Sequence, residues 1–163
     1  YDVEVDGRSM TLTAPEGISR RAKGLIFERT MSIPASGARI DFESTVTNIS
    51  DGMKYARLIS HIELAADAAG SLAGWRAASG ETVEEEAKNF YKNGDNIPNG
   101  RWHLSNTDAG WTVENRFPAG EIEACRLKCY DRTKTVEMET LGFEKNLAPG
   151  EKIVRKHSYS ISR

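Results

Sequence analysis

Apolar and polar side chains alternate along residues 39–48 and again along residues 54–64, and this period of two constrains the fold more than any other feature. Successive side chains of a β-strand point to opposite faces, so each segment predicts a strand with one buried face. In the second segment, Leu58 and Ile62 fall on the apolar face and His61 falls on the other. Turn residues (Asn, Ser, Asp, Gly) separate the two segments and fix the register that points His61 away from the core.

The rest of the chain is divided into similar short segments by residues typical of turns. Further strands are predicted at residues 1–5, 8–13, 24–33, 101–104, 110–117, 121–130, 134–142 and 152–161. Prolines and glycines at residues 15–17 and 34–37 predict turns between the early strands. About nine or ten strands, with too little helix for parallel crossovers, predict an all-β chain that folds as an antiparallel β-sandwich.

Residues 66–100 break this pattern and are predicted to form an insertion in the sandwich. Within them, residues 81–92 contain good helix formers, with Thr82 placed to cap and acidic residues in the first turn, which predicts one short helix. Residues 93–100 are dense in Asn, Gly, Asp and Pro, which predicts a loop. We therefore expect a single β-sandwich domain, or the larger part of one, excised from a longer chain.

Length and charge limit the classes of function. A chain of 163 residues is long enough to bury one core without cross-links. The 22 Lys and Arg residues nearly balance the 24 Asp and Glu residues, and no basic stripe is present, which argues against a nucleic-acid partner. No apolar run approaches about 20 residues, so no membrane partner is predicted.

Cys125 and Cys129 lie four residues apart in a segment that alternates like a strand. At about 3.3 Å per residue they are about 13 Å apart, which is too far for a disulfide with each other. We interpret them as small apolar residues on a packed face. Neither a paired-cysteine motif nor EF-hand spacing occurs, so no metal and no other cofactor is predicted.

Three elements in order carry a resemblance to a known family. The segment TNISDGMKYARLISHIELA is similar to the part of the galactose mutarotase (aldose 1-epimerase) superfamily where a Thr-Asn turn precedes the strand with the general-acid histidine. Residues 136–140 (Val-Glu-Met-Glu-Thr) resemble the late strand with the general-base glutamate, and residues 147–151 (Leu-Ala-Pro-Gly-Glu) resemble the ending of that fold. The resemblance implies the later part of a β-supersandwich, with His61 as acid and Glu139 as base.

The chain also departs from the pattern of that family. Leu141 stands in place of a glutamine, and Ile62 and Glu63 stand where aromatic residues follow the histidine. The earlier sugar-binding arginine and a second histidine have no counterpart. Because accessory domains of glycoside hydrolases and polysaccharide lyases use the same fold, the resemblance supports the fold more than the reaction.

Mutarotation requires one group that takes the proton of the anomeric hydroxyl and another that protonates the ring oxygen. A carboxylate and an imidazole on one concave face meet this need, and histidine titrates near neutrality. The alternation places both His61 and Glu139 on polar faces, without showing that the two faces converge. A solvated, charged surface explains both residues as well, so the two interpretations stay open.

The other substrate-binding candidates are aromatic or charged. Trp75 and Trp102 flank the loop-rich segment and could stack on the C–H faces of a sugar, whereas Trp111 alternates with apolar residues and is predicted to lie in the core. Arg57 and Glu63 share the predicted face of the histidine and complete the candidate set.

Three hypotheses of function follow. The first is a carbohydrate-binding or accessory domain that binds glycan and packs on another domain of the same parent chain. The second is an aldose 1-epimerase-like enzyme that uses His61 and Glu139, and the third is a purely structural sandwich. The missing sugar-binding partners favour the first, so catalysis by this chain alone is not expected. Membership of a glycan-degrading protein would favour a periplasmic or secreted location.

Overall fold

The structure is a computed structural model that describes residues 2–14, 22–35 and 37–163. Two compact units form within these residues. Unit 1 comprises the described residues up to Leu58 together with Phe143–Ser158, and unit 2 comprises Ile59–Gly142 and Tyr159–Arg163. The assigned strand pairs are antiparallel in both units, so the predicted all-β, antiparallel class is confirmed.

Unit 1 contains the first strands of the chain and two short later ones. They are β1 (Asp2–Asp6), β2 (Ser9–Ala14), β3 (Leu25–Ser32), β4 (Arg39–Asn48), β5 (Lys54–Ala56), β14 (Lys145–Leu147) and β15 (Lys152–Ser162), which enters unit 2 at Tyr159. The order within one sheet is β1-β2-β3-β4-β15, and β14 pairs with β5. A small aliphatic core lies between them, built from Val46, Ala56, Leu58 and Leu147, with Leu25, Phe27 and Ile153 packed against it.

The turn after β4 is built around the side chain of Asn48, which is fully buried. Its Nδ2 donates to the carbonyl oxygens of Gly52 and Leu147, at 2.8 and 2.9 Å. Its Oδ1 accepts from the backbone N–H and the hydroxyl of Ser50, at 3.0 and 2.8 Å. The backbone N–H of Asn48 donates to the carbonyl of Glu151 at 3.0 Å. Two of the three segments that carry the family resemblance therefore contact each other in unit 1.

Unit 2 is a sandwich of two antiparallel sheets. Its strands are β6 (Ile59–Leu64), β7 (Leu72–Ala77), β8 (Thr82–Glu86), β9 (Phe90–Asn93), β10 (Pro98–Asn106), β11 (Trp111–Arg116), β12 (Ile122–Tyr130) and β13 (Thr135–Gly142). One sheet has the order β11-β10-β7-β8 and the other has the order β6-β13-β12-β9. The ring centroid of Phe90 lies 5.6 Å from that of Trp75 and 5.9 Å from that of Trp102, so aromatic packing joins the two sheets.

The predicted short helix over residues 81–92 is wrong. The first half of the segment is β8, which pairs with β7, and the second half contains β9, which pairs with β12. Sheet pairing overrides the helix propensity of the glutamates because Val83 comes to stand opposite Trp75 and Phe90 opposite Leu127. Residues 66–100 therefore supply three whole strands to the two sheets of unit 2.

The other predicted strands lie close to their expected bounds, with two differences. Residues 54–64 form two strands, β5 and β6, rather than one, and the segment 101–104 is extended at both ends to become β10. The loop predicted over residues 93–100 contains a 3-10 turn at Gly94–Asn96 and ends where β10 begins at Pro98. The turn predicted at residues 15–17 lies outside the described residues. Among the described residues, no helix has the length and apolar character needed to cross a membrane.

Candidate functional site

The four-stranded sheet of unit 2 brings His61 and Glu139 into contact. β6 and β13 pair with these two residues directly opposite each other, and His61 Nδ1 lies 3.2 Å from Glu139 Oε1. As the alternation predicts, the His61 side chain is turned outward and is 42% exposed, whereas Ser60 beside it is buried. The polar side of β6, which carries His61, and the polar side of β13, which carries Glu139, are therefore the same face of one sheet.

Arg126 is the second partner of Glu139. It stands opposite Glu139 on β12, and its Nε donates to Glu139 Oε2. Both carboxylate oxygens are thus engaged, and the Glu139 side chain is only 7% exposed. Burial acts to raise the pKa of Glu139, but the hydrogen bonds from Arg126 and His61 outweigh it and hold that pKa below its ordinary value. Glu139 is therefore an ionised carboxylate at neutral pH.

Tyr91 extends this row of side chains to the edge strand. It stands opposite Arg126 on β9 and is 52% exposed. Residues directly opposite one another in a ladder share a face of the sheet, so the imidazole, the carboxylate, the guanidinium and the phenol form one row across all four strands.

A second charged row runs beside the first. Glu63, Glu137 and Lys128 are opposite one another on β6, β13 and β12. Lys128 Nζ lies 3.2 Å from Glu137 Oε2, and the contact with this carboxylate raises the pKa of Lys128. We call the two rows together the polar face; it consists of His61, Glu63, Tyr91, Arg126, Lys128, Glu137 and Glu139.

Three groups of the polar face have the chemistry of metal ligands. His61, Glu137 and Glu139 each offer one ligand atom, and these atoms lie within 4.8 Å of one another. An imidazole with two carboxylates suits a divalent transition metal. Arg126 and Lys128 already pair with these two carboxylates, so a metal ion would compete with both cations for them.

The most exposed groups of the first row are those at its two ends. His61 bonds to Glu139 through Nδ1, and within the described residues Nε2 makes no hydrogen bond, so it can donate to or accept from a ligand hydroxyl. Tyr91 offers an aromatic ring and a hydroxyl. Glu139 uses one oxygen to hold His61 and the other to hold Arg126, so its role is to orient these two side chains.

The polar face lies apart from the cavity of about 570 Å³ in unit 2. Other residues line that cavity, namely residues 68–72, residues 86–89, Cys129 and Asp131. Cys125 and Cys129 are both free thiols, and burial raises the pKa of Cys125 to about 12. Cys125 is therefore an inert core residue, as the sequence predicted.

The remaining predicted site residues lie in different places. Glu63 is on the polar face, whereas Arg57 belongs to unit 1, where its Nη2 pairs with Glu144 at 3.1 Å. Trp75 and Trp102 are 4% and 0% exposed, so the expectation that they form a surface platform for a sugar is corrected: both indoles pack in the core of unit 2. Trp111, predicted to be a core residue, is partly exposed.

Sequence reasoning missed Arg126, Lys128 and Tyr91. A signal was present for the first two, because they alternate with Cys125 and Leu127 along a predicted strand and so had to share its polar side. Tyr91 gave no such signal, since it fell within the segment predicted to be helical.

No family sequence model and no curated protein sequence matches the chain. Solved structures do match its fold. The Slr1438 protein from Synechocystis sp. PCC 6803 superposes with a TM-score of 0.76 at 12% identity, over 98% of this chain and 65% of that protein. A galactose mutarotase related enzyme from Lactobacillus acidophilus gives a TM-score of 0.75 at 11% identity, over 99% and 71%.

A larger protein contains the same fold as one part. The α-galactosidase from Lactobacillus brevis matches with a TM-score of 0.65 at 15% identity, over 94% of this chain and 23% of that enzyme. These likenesses confirm the galactose mutarotase-like fold that the three sequence elements predicted. The chain spans less than two thirds of the length of the Synechocystis protein.

Proposed function

We propose that this chain is a carbohydrate-binding domain and that the polar face is its glycan-binding surface. The observation that carries the proposal is the row from His61 through Glu139 and Arg126 to Tyr91, which presents oriented hydrogen-bonding groups and an aromatic ring on an exposed sheet. A sugar offers hydroxyls that both donate and accept, together with an apolar C–H face, and this row complements each of them.

The ion pairs prepare the surface for binding. Glu139 holds the His61 imidazole and the Arg126 guanidinium in place through its two oxygens, so these side chains lose little freedom when a ligand arrives. Preorganised groups bind more tightly because the entropy cost of ordering them is already met in the free protein. Arg126 and Lys128 are each partly exposed and retain N–H groups for ligand hydroxyls.

Binding fits the geometry better than catalysis. A general base must reach the proton that it removes, and Glu139 has both oxygens bonded within the protein and a lowered pKa, which makes it a weak base. The α-galactosidase from Lactobacillus brevis carries this fold in less than a quarter of its length, which supports an accessory role beside a further domain of a parent chain. A periplasmic or secreted parent protein is consistent with that role.

The test is a titration with neutral mono- and oligosaccharides, monitored by ¹⁵N amide shifts. Binding should shift the amides of β6, β9, β12 and β13, and Tyr91→Ala and Arg126→Ala should each weaken it about tenfold or more. Matched controls are Tyr55→Ala and Arg116→Ala, which remove an exposed tyrosine and an ion-paired arginine elsewhere. Shifts that avoid these four strands, or equal weakening by the controls, would contradict the proposal.

The contact between His61 and Glu139 also favours one second candidate, an aldose 1-epimerase-like activity. In this alternative His61 acts as acid and Glu139 as base on a sugar hemiacetal. Exchange between the α and β anomers of glucose and galactose, followed by polarimetry, tests it. Acceleration over buffer that is abolished by both His61→Ala and Glu139→Gln would establish the enzyme, and a rate equal to buffer would eliminate it.

A further inference from the structure

His61, Glu137 and Glu139 form a cluster on the polar face that combines one imidazole with two carboxylates. One ligand atom of each side chain lies within 4.8 Å of the other two. His61 stands directly opposite Glu139, and Glu137 precedes Glu139 by two positions, which puts it on the same side of β13. The ladder between β6 and β13 therefore brings the three ligand groups together.

The spacing of two of these atoms already suits a metal ion. Zinc is bound by imidazole nitrogen and carboxylate oxygen at about 2.0–2.2 Å, and two ligand atoms on one tetrahedral ion are then about 3.4 Å apart. His61 Nδ1 and Glu139 Oε1 are 3.2 Å apart. Because the ligand atom of Glu137 lies within 4.8 Å of both, a movement of about 1.5 Å brings it to the same spacing.

The two cations beside the cluster leave oxygens for a metal ion. Arg126 Nε donates to Oε2 of Glu139, whereas His61 faces Oε1 of that carboxylate. Lys128 approaches Oε2 of Glu137 as an ion pair without a hydrogen bond. Ligating carboxylates in metal sites are themselves held by neighbouring polar groups, and Arg126 is placed to do this for Glu139. Both cations weaken the attraction for a metal ion by their charge, but Arg126 does not occupy the oxygen that faces His61.

Glu137 gives an independent reason for a ligand at this place. Its Oε2 is buried and has no hydrogen-bond partner within the described residues. A buried polar atom without a hydrogen bond destabilises the folded chain, and coordination to an ion removes that cost. Metal ligands must also be deprotonated, and the hydrogen bonds from Arg126 and His61 hold the pKa of Glu139 below its ordinary value.

We infer that His61, Glu137 and Glu139 form a binding site for a divalent transition-metal ion such as zinc. The imidazole favours such an ion over Mg²⁺ and Ca²⁺, which prefer oxygen ligands. Three protein ligands leave a fourth position for water or another small ligand. The inference goes beyond the proposed glycan binding because the metal site requires no sugar, and its test contains none.

The test is a titration of the whole chain with zinc chloride, monitored by the ¹⁵N resonances of the histidine rings and of the backbone amides. Zinc should shift the ring of His61 and the amides of β6 and β13, and it should leave the rings of His103 and His157 unchanged. Calcium chloride at the same concentration should not displace it. The inference is wrong if the His61 ring does not shift, if His103 shifts equally, or if calcium displaces zinc.

Substitutions separate this site from a general attraction of zinc to histidines and acids. His61→Ala and Glu137→Gln should each weaken zinc binding about tenfold or more, as measured by calorimetry. The matched controls are His103→Ala and Glu84→Gln, which alter a histidine and a glutamate on the other sheet of unit 2 and should leave the affinity unchanged. Circular dichroism checks the fold of each variant, and the ring shifts of the wild-type chain decide the case if a variant does not fold. Equal weakening by the controls, or full affinity in folded His61→Ala and Glu137→Gln, would refute the site.

Discussion

The two units are stabilised by different kinds of contact. In unit 2, two sheets close on an aromatic cluster in which Trp102 has no exposed surface. In unit 1, a short aliphatic core meets a buried polar side chain, Asn48, which bonds to three backbone groups in two segments of the chain. Apolar packing therefore holds unit 2, whereas unit 1 depends to a larger degree on hydrogen bonds around one turn. Substitutions should separate these two modes of stabilisation.

The largest loss of stability is expected from Trp102→Ala in unit 2. The indole is fully buried against Phe90, and its Nε1 donates to Asn115 Oδ1 at 3.2 Å. Removing a large buried aromatic side chain costs about 3–5 kcal/mol, because a cavity is left behind. Urea unfolding followed by circular dichroism measures the loss. Trp111→Ala, at a partly exposed position, serves as control, and an equal loss there would contradict the assignment of Trp102 as the centre of the core.

The second largest loss is expected from Asn48→Ala in unit 1. The substitution removes four hydrogen bonds made by one buried amide and leaves the carbonyl of Leu147 without that donor. Three of the four bonds are only part-buried, so at a net value of about 0.5–1 kcal/mol for each bond we expect a loss of about 2–4 kcal/mol in urea unfolding. Asn146→Ala, which truncates an exposed asparagine on β14, should change the free energy of unfolding very little. Equal effects of the two substitutions would show that the turn does not hold unit 1.

Sequence reasoning predicted which face of its strand a side chain lies on, but it did not predict which strands pair with each other. The alternation in residues 54–64 placed His61 outward because a period of two depends only on local geometry. The contact with Glu139 joins residues 78 positions apart, and no local pattern specifies which strands become neighbours. The helix predicted over residues 81–92 failed for the same reason: its acidic residues favour a helix locally, and the partners that make it two strands lie elsewhere in the chain.

The tryptophans show a further limit of local reasoning. Trp75 and Trp102 lie near turn residues in the sequence, which suggested that they are at the surface. The register places them directly opposite each other on β7 and β10, on the side of the sheet that Phe90 covers. Resemblance was more informative for Asn48, since the Thr-Asn turn and the Leu-Ala-Pro-Gly-Glu ending predicted the fold in which the two segments meet.

The next effect concerns pH and His157 in unit 1. His157 is buried and stacks on Phe42, with ring centroids 4.8 Å apart. Burial, with the nearby charges of Arg155 and Arg29, lowers its pKa from 6.5 to about 3. Below about pH 6.5 this histidine is protonated in the unfolded chain, whereas in the folded chain it stays neutral down to about pH 3. The free energy of unfolding therefore falls as the pH drops through this window.

Between pH 7 and pH 5 this histidine should cost about 2 kcal/mol, at about 1.4 kcal/mol for each pH unit below its ordinary pKa. Urea unfolding at the two pH values measures the change in wild type and in His157→Gln, which should lose less stability over that interval. His103→Gln alters a partly exposed histidine of unit 2 and is the matched control. An unchanged pH dependence in His157→Gln would show that His157 is protonated readily in the folded chain.

The smallest expected effects distinguish the two ion pairs of the polar face. Arg126 bonds to Glu139, which is nearly buried, whereas Lys128 bonds to the more exposed Glu137. A hydrogen bond to a charged group contributes about 1.5 kcal/mol or more, so Arg126→Ala should lower the free energy of unfolding by about that amount. Lys128→Ala should lower it by about 0–1 kcal/mol, because Lys128 approaches Glu137 as an ion pair without a hydrogen bond of good geometry. Urea unfolding at low and at 1 M salt separates the two pairs, because salt weakens an ion pair more than a hydrogen-bonded pair of the same charges. If both variants lose the same free energy, and salt removes both losses equally, Glu139 is not held as a buried carboxylate, and the oriented row on which the proposed glycan binding rests does not form.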